Sequence, residues 1–344
     1  MSQTLSPDHL LETRGVQSDF GAFVVGAAFD RGGLAGFALG DGTLRLLRDG
    51  AWHGIEAHDG GALAIAADAR GEGFLSGGDD GRFLRIARDG GITEIASYGM
   101  KWVERVASFA DAKTQILACV VGRNLHLFDG AGKLLKTLAH PSTVTGVVFD
   151  AKGKRVATSH YNGASIWFVA SKSDHPRVLE WKGSHTGIAI SPDGDNIVTA
   201  MQENALHGWR LSDTQHMRMS GYPAKTQALS FTRNGKWLAT SGAESVVLWP
   251  FTGGGPMGKA PTELGGAAEG TLCTQVACHP QHEAVAAGFS DGIVLLADIP
   301  SGRILPVAGP GRGPVSALAW SGDGARLAFG TESGFAAVVD FSKS

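Results

Sequence analysis

Few residues in this chain have the type and spacing to do chemistry. The stretch "CHPQH" sets a thiol and two imidazoles, Cys278, His279 and His282, within five positions, as a zinc site does. No fourth ligand is evident, so no metal site is expected and this trio is the nearest approach to one. "HMRM" offers soft donors from His216 to Met219, but strand alternation puts His216 and Arg218 on one face and Met217 and Met219 on the other. "GGGPMG", Gly253 to Gly258, fits G-x-G-x-x-G, yet Pro256 sits inside it and no helix pattern follows. Without a helix N-terminus it has nothing to hold a phosphate with and reads as a loop. "SPDGDN" and "GGDDG" carry carboxylates without the remaining spacing of a calcium loop, and turn formation explains them. No nucleophile elbow of the form G-x-S-x-G is present. No catalytic residue and no cofactor is expected.

The elements that carry these residues must therefore explain them. The chain has 344 residues, 43% hydrophobic and 18% charged, enough for a large core. Such a length accommodates two domains, or one large all-β domain. Fifty glycines sit mostly in short clusters between apolar runs, with no collagen period. A net charge of −3 gives no bulk attraction to nucleic acid or to an anionic membrane, so any such role requires a local patch. The polar start "MSQTLSPDHLLETRG" lacks a signal-peptide pattern, and the apolar runs are too short to span a bilayer. Three cysteines, Cys119, Cys273 and Cys278, show no disulfide framework, which favours a reducing compartment. A soluble cytoplasmic protein is expected.

One unit recurs throughout. "AISPDGDNIVTA" has counterparts in "SFTRNGKWLATS", "AWSGDGARLAFG", "VFDAKGKRVATS" and "ACHPQHEAVAAG", and looser ones nearer the start. Anchored on the residue before the turn, the units fall at Phe29, Ala67, Phe109, Phe149, Ile190, Phe231, Cys278 and Trp320, spaced by 38, 42, 40, 41, 41, 47 and 42. Within a unit the hydrophobic period is two, as in "KRVATS" and "NLHLFD", and turn residues separate the runs. No segment has a helical stripe. Each unit reads as four strands, a to d, and four strands in about 40 residues is the blade of a β-propeller.

From Leu127 to His160, "LFDGAGKLLKTLAHPSTVTGVVFDAKGKRVATSH" resembles the WD-repeat family: an aromatic-Asp pair closes strand c, and a histidine occupies the d–a loop. The resemblance covers the chain after about residue 22, in degenerate form. The signature Trp position is filled by Phe128 and Trp209, less regularly by Trp167 and Trp249, and by aliphatic residues elsewhere. Asp follows it at Asp129, Asp298 and Asp340. The family's b–c turn Asp is matched by Asp41, Asp80 and Asp291 and replaced by Asn162, Glu203 and Ser333; its loop histidine is matched by His58, His140 and, with shifted spacing, His185. The resemblance also implies that "CHPQH" is an a–b turn. It implies an all-β propeller with eight blades, seven being the alternative, over residues 23–344. Residues 1–22, with "HLLETRGVQ", would supply the strand that closes the ring, because the last unit ends after strand c. Rich Ala/Gly usage and few lysines point to a bacterial source.

In the WD-repeat arrangement the d–a and b–c loops share one end of the ring, the top. All three tyrosines, Tyr98, Tyr161 and Tyr222, fall in these loops, with Lys101, Trp102, Arg123, Trp181, Lys182, Lys225 and Arg312. Tyr, Trp and Arg are the types enriched at binding hot spots. The expectation is a non-catalytic scaffold that binds a protein or peptide carrying acidic groups on this face. The alternatives are a regulatory protein binding nucleic acid or another polyanion at the basic rim, and an enzyme with a site at the channel mouth.

Overall fold

The computed structural model describes residues 6–173, 175–266 and 268–342. Of the amino-terminal segment, residues 1–5 lie outside the described residues, as do Lys343 and Ser344 at the other end. Apart from two of fourteen residues, the strands are short, three to seven residues, and alternate with tight turns, and every neighbouring pair of strands is antiparallel. The first repeat shows the pattern: Val24–Phe29, Ala35–Leu39, Thr43–Arg48 and Ala51–Glu56 lie side by side in chain order. Strand a of each unit packs against strand a of the next. The circuit runs from Val24–Phe29 through Ala62–Ala67, Arg105–Ala110, Gly146–Phe149, Arg177–Ile190, Leu229–Phe231 and Cys273–Cys278 to Val315–Trp320, which touches Val24–Phe29 again. The fold is a β-propeller.

Eight separate blades are not what forms. The described residues make seven sheets, six of four strands and one of six. The units anchored on Phe149 and Ile190 share the six-stranded sheet, because the fourteen-residue strand Arg177–Ile190 runs on from the last strand of one into the first strand of the other, while Arg155–Phe168, also fourteen residues, joins strands b and c of the Phe149 unit. The reason is local. Asn162 and Gly163 adopt φ of 67° and 140°, and Gly183 adopts 114°, so the chain changes direction without leaving the hydrogen-bonded ladder. A second difference lies at the start: His9–Arg14 form a short helix, and Gly15–Asp19 then pair with Phe335–Asp340.

Packing between sheets carries the fold. Strand b of each unit is buried on both faces, so consecutive residues such as Phe74 and Leu75 enter different clusters. Phe74 lies so close to Gly36 that a Cβ there would meet its ring at 2.7 Å. The residue after the anchor is buried and polar in seven units: Asp30, Asp68, Asp150, Ser191, Thr232, His279 and Ser321. It ties off the a–b turn. Asp30 accepts bonds from the Gly32 and Leu34 N–H groups and pairs with Arg88 at 2.6 Å. Asp68 pairs with Arg85 and Asp150 with Arg155 in the same way.

The six-stranded sheet has a weak point at Gly163, where an added Cβ would stand 2.0 Å from the Leu179 carbonyl at a φ that side chains avoid. Gly163→Ala is expected to cost about 2 kcal/mol or more, read as a lower urea midpoint with unchanged slope. A variant as stable as the parent would show that this reversal does not hold the sheet together.

Candidate functional site

The loop end of the ring is built by a repeated backbone clamp. His58, Tyr98 and His140 donate their N–H to the carbonyls of Gly42, Gly81 and Arg123, so each d–a loop is held on a b–c turn. The loop side chain then reaches the next unit's strand b. His58 Nε2 meets Ser76 Oγ at 2.9 Å, His140 Nε2 meets Thr158 Oγ1 at 2.8 Å, and His185 Nδ1 meets Thr199 Oγ1 at 2.7 Å. Two tyrosines fill this same position. Tyr98 OH lies 3.6 Å from Cys119 Sγ with its ring 4.6 Å from that of His126, and Tyr222 OH lies 2.6 Å from Thr240 Oγ1. Trp249 Nε1 donates to Tyr222 OH at 2.6 Å, completing a buried chain. Only the spacing from the loop residue to a strand-b hydroxyl or thiol, 18 residues for His58, His140 and Tyr222 alike, signals this role in the sequence.

His58 also bonds Asp80 at 3.0 Å. Ser76, His58 and Asp80 thus have the partners of a nucleophile triad. Ser76 is fully buried and its hydroxyl also reaches the Ala64 carbonyl, so the trio clamps strand b and the turn instead of meeting a substrate.

At the inner rim, the residue four before the anchor is skipped by the strand register at Val25, Leu63, Thr186, Thr274 and Ser316. Such a bulge re-aims a side chain. The hydroxyls at this position bridge units: Thr145 to the His185 carbonyl at 2.5 Å, Thr274 to Val315 at 2.6 Å and Ser316 to Val24 at 2.6 Å. Arg105 Nε does the same to the Thr145 carbonyl at 3.1 Å. Between them opens a polar cavity of about 570 Å³ lined by Glu104, Arg105, Thr186, Lys225 and Gln227 among others. Thr226, also on its wall, has a buried hydroxyl with no partner among the described residues.

The sequence-selected residues divide into two groups. Trp102 and Tyr161 are 55% and 57% exposed, and Lys101, Arg123 and Lys182 are exposed beside them in the loops. Lys225 is half-buried on the cavity wall, its Nζ 3.1 Å from Gln202 Oε1. The others turn inward. Tyr222 is 8% exposed, Tyr98 packs against the Phe83–Phe128 cluster, and Trp181 stacks flat on His207 at 3.9 Å. Arg312 pairs with Asp8 at 3.0 Å and lies over the Phe335 ring, which fastens the amino-terminal segment. At "CHPQH", Cys278 Sγ donates to the Ser230 carbonyl, while His279 Nδ1 accepts from the Gln281 and His282 N–H groups and Nε2 donates to Gly324. His279 occupies the buried polar position that Asp, Ser or Thr fills in six other a–b turns, so its nitrogens serve the turn. Among the described residues no group of three or more His, Cys, Asp or Glu stands ready for a metal.

Comparison with known proteins agrees with this geometry. Residues 132–179 match the family model described as WD domain, G-beta repeat. The chain is 23% identical over 318 residues to Autophagy-related protein 16 of Arabidopsis thaliana, which covers 86% of this chain and 61% of that protein. It is 23% identical over 188 residues to WD repeat-containing protein slp1 of Schizosaccharomyces pombe, covering 52% of this chain and 38% of that one. The chain thus spans about three fifths of the first relative's length and less of the second's. The crystal structure of the computationally designed Ika8 protein superposes with a TM-score of 0.74 at 19% identity, over 94% of this chain and 98% of that one. No helix among the described residues is long and apolar enough to cross a membrane.

Two outcomes follow from the clamps. Tyr222→Phe leaves the buried Trp249 N–H without its acceptor and should cost about 1–3 kcal/mol in chemical unfolding; no loss would remove Tyr222 from the framework. Burial, aided by the neighbouring His160, lowers His140 to about 4. Burial, aided by the neighbouring His216, His185 and Arg218, lowers His207 to about 3, and burial also lowers His58 despite Asp80. The unfolded chain therefore binds more protons below the ordinary value of 6.5. Their contribution is whole above 6.5 and falls as the pH drops toward 4. Urea midpoints taken across this window should decline, and less steeply in His140→Gln; a flat profile would contradict it.

Proposed function

We propose that this chain is a non-catalytic scaffold that binds a protein or peptide carrying acidic groups on the loop end of the ring. The observation that carries the reading is the pairing of two exposed aromatic faces, Trp102 and Tyr161, with exposed Lys101 and Lys182 beside a polar cavity bearing Arg105 and Lys225. Rigid aromatic surface supplies area at little entropic cost, and the ammonium groups select for carboxylates. The clamps hold these loops on strand ends, so little ordering remains to be done on binding. Similarity to a WD domain model and to WD-repeat relatives supports an interaction role at this general level. We read residues 1–22 as the segment that closes the ring and residues 23–344 as the propeller, in one cytoplasmic protein. Tyr98, Tyr222, Trp181 and Arg312 shape the loops from beneath, whereas Lys101, Trp102, Arg123, Tyr161, Lys182 and Lys225 face the partner.

An array of short peptides graded in acidity, probed with the purified chain, tests this. Acidic peptides should be retained, and Lys101→Ala with Trp102→Ala should weaken retention by about tenfold or more while the melting curve is unchanged. Equal retention by the double variant would move the site elsewhere. Equal retention of neutral and acidic peptides would overturn the ligand class. A steep salt dependence with single-stranded nucleic acid, and none with peptides, would favour the polyanion reading instead.

A further inference from the structure

The opposite end of the ring carries a second charged surface that the scaffold reading does not use. Five of the twelve lysines, Lys113, Lys133, Lys152, Lys154 and Lys172, are exposed there on the a–b and c–d turns of two adjacent units. These turns touch one another. The Val169 N–H donates to the Lys154 carbonyl at 2.9 Å, Lys136 Nζ reaches the Ser171 carbonyl, and Gly153 packs on Phe109 of the preceding unit. Exposed apolar side chains stand among the lysines: Phe168 at 61%, Leu134 at 51%, and Leu135 and Val178 close to this.

Among the described residues, the acidic groups of these turns are engaged. Asp111 accepts from the Lys113 and Thr114 N–H groups, Asp129 from those of Ala131 and Lys133, and Asp150 pairs with Arg155. None of the five lysines makes an ion pair among the described residues. Elsewhere on the same end, the turns of the Ile190 unit carry Asp193, Asp195 and Asp213 instead. Lysines are thus densest in these two adjacent units, with Arg233 and Lys236 of the Phe231 unit also exposed on this end, although the chain as a whole carries −3.

We propose that this sector docks on an anionic lipid bilayer. Turn tips at one end of a propeller stand at a common level, which suits a flat charged surface. Several lysines close to an anionic leaflet are attracted additively, and protruding Phe and Leu side chains gain by entering the headgroup boundary. A scaffold held in this way turns its loop end toward the solvent and leaves it free for a partner.

Sedimentation with phosphatidylcholine vesicles, with and without phosphatidylserine, tests this on the full chain. The protein should pellet with the phosphatidylserine vesicles alone and be released by salt. Lys133→Glu, Lys152→Glu and Lys154→Glu combined should lower the partition coefficient by about tenfold or more. Phe168→Asp should lower it with all five lysines kept, and Lys101→Ala with Trp102→Ala should leave it unchanged, which separates this surface from the peptide site. Melting curves confirm that each variant is folded. Absence from both vesicle types, or wild-type partition of the charge-reversed variant, would overturn the proposal. So would tight binding to soluble polyglutamate without any vesicle binding, which would assign the sector to an acidic protein.

Discussion

A four-stranded sheet whose central strands are apolar on both faces cannot keep itself dry. Phe74 and Leu75 are adjacent in sequence, point to opposite faces and are both wholly buried. Each face therefore needs the next sheet, and the chain of needs ends only when the last unit meets the first. Here that junction is Val315–Trp320 against Val24–Phe29, with Gly15–Asp19 paired to the final strand. At about 25 cal/mol per Å² of apolar surface, such buried aromatic and aliphatic side chains outweigh any single polar contact.

Polar groups within this apolar frame are arranged to be satisfied, and that sets what remains for function. The residue after seven of the eight anchors closes the lower turns, and the loop residue that reaches strand b closes the upper ones. Ser76, His58 and Asp80 resemble catalytic machinery in their bonding, yet burial makes them a clamp. His279 has metal-ligand chemistry but serves a turn. Side chains left outside these duties, such as Trp102, Tyr161 and the turn lysines, are the ones available to partners. The two ends of the ring differ accordingly, with aromatics and a polar cavity at one and a lysine sector at the other.

A spacing near 41, strands of period two and Gly-rich turns were enough to establish an all-β ring of repeated units, because backbone alternation is a local property. The turn role of "CHPQH" and the loop ownership of Lys101 and Trp102 came from the WD-repeat resemblance, which gives each segment a place in the repeating unit. Which side chains face solvent was not legible. Tyr98 and Tyr222, in d–a loops, find a thiol or hydroxyl 18–21 residues onward and turn inward, while Tyr161, in a b–c turn of the same end, points out. Trp181 and Arg312 were likewise decided by His207 and Asp8, neighbours that only folding supplies.

The sheet count was also a tertiary outcome, since it depends on whether the chain at Gly183 leaves the ladder between two units or stays within it. Five lysines spread over 60 residues of chain become one surface for a similar reason: ring closure brings a–b and c–d turns of adjacent units to the same end. Sequence by itself determined the repeating unit and the loops that cap it, because these follow from contacts within about 40 residues. The tertiary structure decided which of those loop residues are exposed, because exposure is set by partners in the next unit.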